Sequence, residues 1–582
     1  MAIISLMPIS FSQNQAPSPK LCEAAHTQSD LPSYQGLNGW LFHPGDLASP
    51  KLGLDSLPYI QRLHEALQAQ GIKLVIVNLP TRAMVHHDQF DLNQAFFAQY
   101  DVLAGEAAFQ QFHQRLEVLG VSAPNLFAPF VAKGRPYSYT FARNSHWNSA
   151  GSAFVAKNLA IYLKTLPQFV EIPEVKLKLE LVKVIEKKGD LAVFAELACQ
   201  TSLWENEAYP KYIATKIEPE DLDQSLFAEE HSEIVLWGTS NSEEGFNFRA
   251  FLEHELSARI ANASISAGGL WSAMEGFFSQ PTSKIDYPTI ALWEFPFRNV
   301  EEFNNLSKYR QVIPMIYGEC SAAESLAMSP WQKLRSQAIP LEALEEIRAW
   351  RAARAQLIPK QPAPDGSQDA IKLSFDGEAN PWLVYSHDLG QILAGQAFTF
   401  SVWLWTDESE PKEASLLIYS IPEPAQVRKV DITLTSTPTQ YDISYLFSSE
   451  TTQTALALRI DGLKDPERLK EGMYLYAWQP KLSQENLEIF DLSPLNISGH
   501  DYYSYLEMSD KSILNFDLIT ESLAGEIEVL SVNRPNLIPN SGRYFLEFSD
   551  VLNAPVKSLS FRLAPSQKAK GRIRAKLCRV PR

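Results

Sequence analysis

The apolar positions change period twice along the chain. Residues 72–78, 234–237 and 288–294 are short, almost unbroken apolar runs, rich in β-branched residues, and read as strands buried on both faces. Between them lie helical patterns, over about 56–70, over about 102–119 and after residue 246, where Phe248, Phe251, Leu252, Leu256 and Ile260 share a face. Asn148 is placed as the N-cap of a further helix carrying Ser152, Val155, Leu159 and Leu163. Strands alternating with helices over 36–320 predict an α/β domain with a mainly parallel sheet.

Beyond that point a helix is expected over 341–357. A break follows at Pro359-Lys-Gln-Pro-Ala-Pro-Asp-Gly, a linker by composition. The period then becomes two. Phe398, Phe400, Val402 and Leu404 alternate with Thr399, Ser401, Trp403 and Trp405, and Met473, Leu475 and Ala477 alternate with Tyr474, Tyr476 and Trp478. Such strands predict a jelly-roll-like β-sandwich over 366–485 and a second all-β module over 486–582. The full division is a lead-in or residual export signal (1–35), the α/β domain (36–345), the linker (346–365) and the two β modules. In the last module Lys568, Lys570, Arg572, Arg574 and Lys576 alternate with small and apolar residues, so a strand there lines up five cations on one face.

Composition narrows the function. A chain of 582 residues exceeds one core and suggests about three domains. A net charge of −17 argues against nucleic acid as the main partner. No apolar stretch approaches the ~18 residues of a transmembrane helix. The first sixteen residues hold a weak apolar run without Lys or Arg, which fits a shortened export signal or a plain tail. The four cysteines, Cys22, Cys199, Cys320 and Cys578, are far apart and form no CxxC pair, so no zinc site is expected. Their number fits two long-range disulfides or four buried thiols, and the count leaves both open.

The chemistry centres on Ser240. A buried strand ends at Gly238, the serine stands two residues later, and a helix follows, which puts a hydroxyl at the mouth of an α/β sheet. A serine nucleophile needs a general base. Of eleven histidines, His146 has the best context, in the polar loop Arg143-Asn-Ser-His-Trp-Asn, with Asn144 two residues before it. Taken alone, Asn144 and His146 also fit ordinary hydrogen-bonding loop residues, and adjacent His86 and His87 read as structural or surface. The Ser240 N–H with Gly268 or Gly269 is a candidate oxyanion hole, although the turn they occupy explains both glycines somewhat better. Arg82 and Arg143 sit at expected strand ends and are candidates for holding an anionic sugar or acetyl donor, or are surface arginines.

Gly39-Trp-Leu-Phe, Asn144-Ser-His-Trp, Gly238-Thr-Ser-Asn-Ser with Phe246-Asn-Phe and Phe251-Leu, and Leu292-Trp-Glu-Phe-Pro resemble, in order, the alginate O-acetyltransferases of the SGNH-hydrolase-like class. The resemblance covers about 36–345 and extends to the last ~90 residues. It implies a periplasmic, serine-dependent transferase or esterase with Ser240 as nucleophile and His146 as base, and no metal or other cofactor. Asn144 falls where the family usually has Asp, and Asn241 where it often has Tyr. In serine proteases, changing the triad Asp to Asn costs about 10⁴ in turnover because the histidine tautomer is wrong, whereas cysteine proteases use a triad Asn. The expectation is a working but slower site. The resemblance also implies the pairs Cys22–Cys199 and Cys320–Cys578, and a carbohydrate-binding role for 486–582.

The expected partners are a polysaccharide acceptor, a membrane-embedded acyltransferase as acetyl donor and other secretion-complex proteins, with the chain itself a monomer. Glycan-binding candidates are Trp403, Trp405, Tyr474, Tyr476 and Trp478 in the inserted sandwich and Lys570, Arg572 and Arg574 in the last module. An acetylesterase and a non-catalytic polysaccharide-binding scaffold are the alternatives.

Overall fold

A computed structural model describes residues 20–217, 232–280, 287–333 and most of 337–581. The N-terminal tail, the 341–349 part of the expected helix, Met473, Lys568 and Lys570 lie outside the described residues. The chain forms two compact units, one spanning residues 1–318 and the other most of 319–582.

The first unit contains α1 (Leu57–Ala69), β1 (Lys73–Leu79), α2 (Val102–Val118), α3 (Ser149–Leu163), β2 (Leu177–Lys187), α4 (Asp190–Cys199), β3 (Glu207–Lys216), β4 (Ile234–Trp237), α5 (Phe248–Leu256), β5 (Ala261–Asn262) and β6 (Ile290–Pro296). Strands β1, β6, β4 and β5 form a parallel sheet in that order. The apolar runs make this sheet because each residue of β4, and all but the ends of β1 and β6, is buried. α1 turns Ile60, Leu63, Ala66 and Leu67 inward at helical spacing. Asn148 caps α3, its side chain accepting from the Gly151 N–H at 2.9 Å. The antiparallel hairpin β2–β3 was not anticipated: β2 is largely exposed, so it shows neither a buried run nor a one-sided alternation.

The second unit is all-β, in two sandwiches. One pairs its sheets over a core of Leu506, Tyr544, Ile573 and Leu577 facing Phe516, Leu518, Leu559 and Phe561. Strands Ser325–Met328 and Gln332–Lys333 join it by pairing with Arg572–Arg579. The expected α/β boundary at 345 therefore lies past residues that already belong to a β-sheet. The other sandwich is inserted in sequence between these pieces, from Gln337–Ile339 to Tyr474–Gln484. Where a helix and a linker were expected, Trp350–Ala353 and Ala355–Gln361 are strands that pair with Trp382–Ile392 and Ala370–Phe375. Helix propensity in this Ala- and Arg-rich stretch gives way to ladder bonds with neighbouring strands.

In the inserted sandwich Phe398, Phe400, Val402 and Leu404 are buried, as the alternation predicts. On the opposite face Trp405 stacks on Tyr476 at 5.2 Å and 6°, and Trp403 lies 6.0 Å from Trp478. Lys372 sits over the Tyr474 ring at 3.2 Å. Trp478 is itself buried, and the other four aromatics are partly exposed. The cationic strand alternates as expected, with Ile573, Ala575 and Leu577 inside. Its cations are not simply lined up for a polyanion. Arg574 binds Glu507 and covers the Trp331 ring, Lys576 binds Glu319 at 2.7 Å, and Arg572 stays exposed.

Cys22 is bonded to Cys199 and Cys320 to Cys578, the pairs the family resemblance implies. The first closes a loop across 177 residues and anchors the end of α4 against a cluster of Ala25, Leu41, Leu191, Ala195 and Trp204. Such bonds typically contribute about 2–4 kcal/mol to stability. The double substitution Cys22→Ser with Cys199→Ser should destabilise the first unit by about that amount in urea unfolding, and reductant should then produce no further loss in that unit.

Candidate active site

The site is built on a turn and a loop that the sheet brings together. β4 ends at Trp237, and Thr239 starts a single 3-10 turn, Ser240–Ser242, with its hydroxyl accepting from the Asn241 N–H. Gly238 is required by close approach: a Cβ there would lie 2.4 Å from the Ser242 side chain. Beneath the turn sits Glu294, fully buried at the end of β6. It accepts from the Thr239 N–H at 2.9 Å, the Ser242 hydroxyl at 2.8 Å and the Thr239 hydroxyl at 3.1 Å. Burial outweighs these bonds and pushes its carboxyl up to about 7. Ser240 is left partly exposed above the turn.

His146 comes from the loop before α3. Its Nε2 lies 2.7 Å from Ser240 Oγ and its Nδ1 lies 2.6 Å from Asn144 Oδ1. The His146 backbone N–H donates to the same Oδ1 at 3.0 Å, which identifies that atom as the amide's acceptor. Nδ1 therefore carries the hydrogen, and Nε2 presents its lone pair to the serine hydroxyl. The Asn144 carbonyl thus holds the imidazole in the tautomer that leaves Nε2 free to accept a hydrogen. Phe246 stacks on the imidazole at 4.2 Å and 13°. Burial pushes His146 down to about 4, with Asp190 opposing that shift and Arg298, Arg82 and Lys187 adding to it.

Several of the candidate ligand-binding residues serve the scaffold instead. Arg82 is 3% exposed, and its guanidinium donates to the carbonyls of Leu41, Phe141, Ala142 and Asn144. It cannot also hold a substrate anion; it holds the loop that presents His146. Asn241 is buried, with its Nδ2 on the Thr239 hydroxyl and its main-chain carbonyl accepting from Trp147 Nε1 at 2.9 Å. It locks the serine turn to the histidine loop rather than meeting a ligand. Arg143 is partly exposed beside Glu207, whose carboxylate takes the Ala142 N–H at 3.0 Å. Gly269 adopts φ +65° in a turn tied to Glu302, which accepts from the Leu270 N–H at 2.9 Å. That supplies a structural reason for the glycine.

Sequence reasoning missed Glu294 and Asp190, and read His86 as structural or surface without showing what it holds. Glu294 sits inside a motif already noted, but its burial is invisible in an apolar run. His86 accepts from the Tyr139 and Thr140 N–H groups at 3.3 and 3.2 Å, shaping the same loop. Asp190, at the start of α4, accepts from the Ser145 N–H at 2.7 Å and the Ser145 hydroxyl at 2.5 Å, and its Oδ2 lies 3.5 Å from His146 Nδ1. Gly189 permits this approach, because a Cβ there would lie 2.2 Å from the Arg143 carbonyl oxygen.

The burial of Glu294 predicts a pH effect. Its carboxyl titrates higher folded than unfolded, so between about pH 4.5 and 7 the folded state binds more protons and stability falls as pH rises. Urea unfolding of the first unit should show wild type losing about 2–3 kcal/mol more than Glu294→Gln between pH 5 and pH 7.5.

Residues 34–297 match the family model described as the SGNH hydrolase-like domain of acetyltransferase AlgX. The chain is 27% identical over 321 residues to the alginate biosynthesis protein AlgX of Pseudomonas fluorescens, covering 52% of this chain and 65% of that one. It is 25% identical over 282 residues to the probable alginate O-acetylase AlgJ of Pseudomonas syringae pv. tomato, covering 47% of this chain and 70% of that one. The solved structure of Pseudomonas aeruginosa AlgX superposes with a TM-score of 0.61 at 19% identity, covering 96% of this chain and 100% of that one. That likeness establishes the shared fold, an SGNH-like parallel sheet followed by all-β sheets.

Proposed function

Starting from residues 34–297 as an SGNH hydrolase-like domain, we propose that the protein O-acetylates an exported, alginate-like polysaccharide through an acetyl group carried on Ser240. The observation that carries this reading is the relay Ser240–His146–Asn144, with contacts of 2.7 and 2.6 Å and a defined tautomer. His146 Nε2 takes the Ser240 proton as Oγ bonds to the acetyl carbon, then returns that proton to the departing donor group. In the second half a sugar hydroxyl gives its proton to His146 as its oxygen takes the acetyl group, and His146 returns that proton to the departing Ser240 Oγ. The names of the relatives, alginate biosynthesis protein and probable alginate O-acetylase, support the acceptor class.

Two long-range disulfides support an oxidising compartment, the periplasm. The acetyl donor in this reading is a membrane-embedded acyltransferase within a secretion complex, and the chain acts as a monomer. The Trp403, Trp405, Tyr474 and Tyr476 face supplies planar surfaces on which sugar rings stack, and Arg572 supplies a cation for a uronate.

Hydrolysis of a chromogenic acetyl ester, with and without oligouronate acceptor, tests the proposal. Ser240→Ala should lower turnover by at least about 10³-fold. Because His146 is held down near 4, turnover should persist at pH 5.5, where an unperturbed histidine base is mostly protonated. Acetylated oligouronate should accumulate, and Trp405→Ala with Tyr476→Ala should raise the acceptor concentration this needs without changing ester hydrolysis. Acetate as the sole product would make the protein an esterase. Wild type no faster than Ser240→Ala would make it a scaffold and overturn the proposal.

A further inference from the structure

We infer that Asp190 is the carboxylate partner of His146, a positioning residue on α4 that supplies the negative charge Asn144 lacks. The inference rests on the reading of Ser240 and His146 as nucleophile and base. As Oγ bonds to the acetyl carbon, the carbonyl electron pair moves onto oxygen and the Oγ proton passes to Nε2. His146 then carries a full positive charge. Asn144 accepts the Nδ1 hydrogen but offers a dipole only. Asp190 Oδ2 lies 3.5 Å from the same Nδ1, and Ser145 Oγ bridges the two, 2.5 Å from Oδ2 and 3.2 Å from Nδ1.

The charged groups that reach His146 are Arg298, Arg82 and Lys187, which oppose its protonation, and Asp190, which favours it. Asp190 also faces His43 and Arg82. Its orientation is fixed from several sides. Oδ1 takes the Ser145 and Leu191 N–H groups, each at 2.7 Å, which turns Oδ2 toward the imidazole. The Ala192 N–H donates to the Arg143 carbonyl at 3.2 Å, pressing α4 onto the histidine loop. The far end of α4 is tied down through Cys199 to Cys22. An aspartate in a first helical turn is a common stabilising feature in its own right. That bland role predicts an effect on stability and none on the imidazole.

The experiment compares wild type, Asp190→Asn, Asp190→Glu, Asn144→Asp and the double variant Asn144→Asp with Asp190→Asn. Asp190→Asn should lower ester turnover at pH 7 by about tenfold or more and move the acid limb of the pH profile to lower pH, because the histidine loses its nearby anion. The double variant should recover most of that loss, since a carboxylate again faces Nδ1, and in Asn144→Asp, where two carboxylates face Nδ1, the acid limb should move to higher pH. A titration of the ¹⁵N-labelled His146 imidazole reads the same shift without turnover, and so separates this inference from the proposed function. Asp190→Asn should titrate lower than wild type, with Asp190→Glu between them. Wild-type turnover and pH profile in Asp190→Asn, a double variant as slow as Asp190→Asn, or an unmoved His146 titration would each overturn the inference. An inactive wild type with the shift present would defeat the proposed function and leave the role of Asp190 intact.

Discussion

A buried guanidinium with backbone carbonyls for partners is the constraint on which the site depends. Arg82 follows directly from the end of β1 and reaches the carbonyls of Leu41, Phe141, Ala142 and Asn144. A loop rich in buried backbone must find partners for its carbonyls, and a charged donor satisfies several at once. His86 performs the complementary service for two N–H groups of the same loop, and Glu207 for another. The loop that carries His146 is thereby fixed without regular secondary structure of its own.

The serine side is fixed by a buried carboxyl. Glu294 gathers the donors of Thr239 and Ser242 under the turn, and Trp147 bonds across to the carbonyl of Asn241. Two loops far apart in sequence are thus joined by a tryptophan side chain from the histidine motif and a main-chain carbonyl of the serine motif. The result is a short Nε2–Oγ contact held from both sides, a pre-formed geometry of the kind proton transfer requires. Asn144 then serves as an orienting group. Its amide sets the tautomer, while a carboxylate 3.5 Å from the same Nδ1 comes from α4, an element outside both loops.

Much of this was legible in the sequence because each signal was local. Ile234–Trp237 and the turn after it announced the serine, and the alternation around Phe400 announced a sandwich face. Ser240, His146 and Asn144 do converge as the motif order implied. What was not legible depends on tertiary burial. Arg82 looks the same in sequence whether its guanidinium faces solvent or carbonyls, and Asn241 the same whether it faces a ligand or Thr239. Asp190 reads as an ordinary first-turn acid until Gly189 is seen pressed against Arg143. The stretch near residue 350 reads as helix because its propensity is helical, yet long-range strand pairing decides it.

The central claim is that His146 activates Ser240 to accept an acyl group. Rapid-quench mass spectrometry of peptides after mixing with an activated acetyl ester tests it most directly. The account predicts an acetyl group on the peptide containing Ser240 at early times, and its loss in His146→Ala. Acetylation confined to other residues, or equal labelling of Ser240 when His146 is removed, would contradict it.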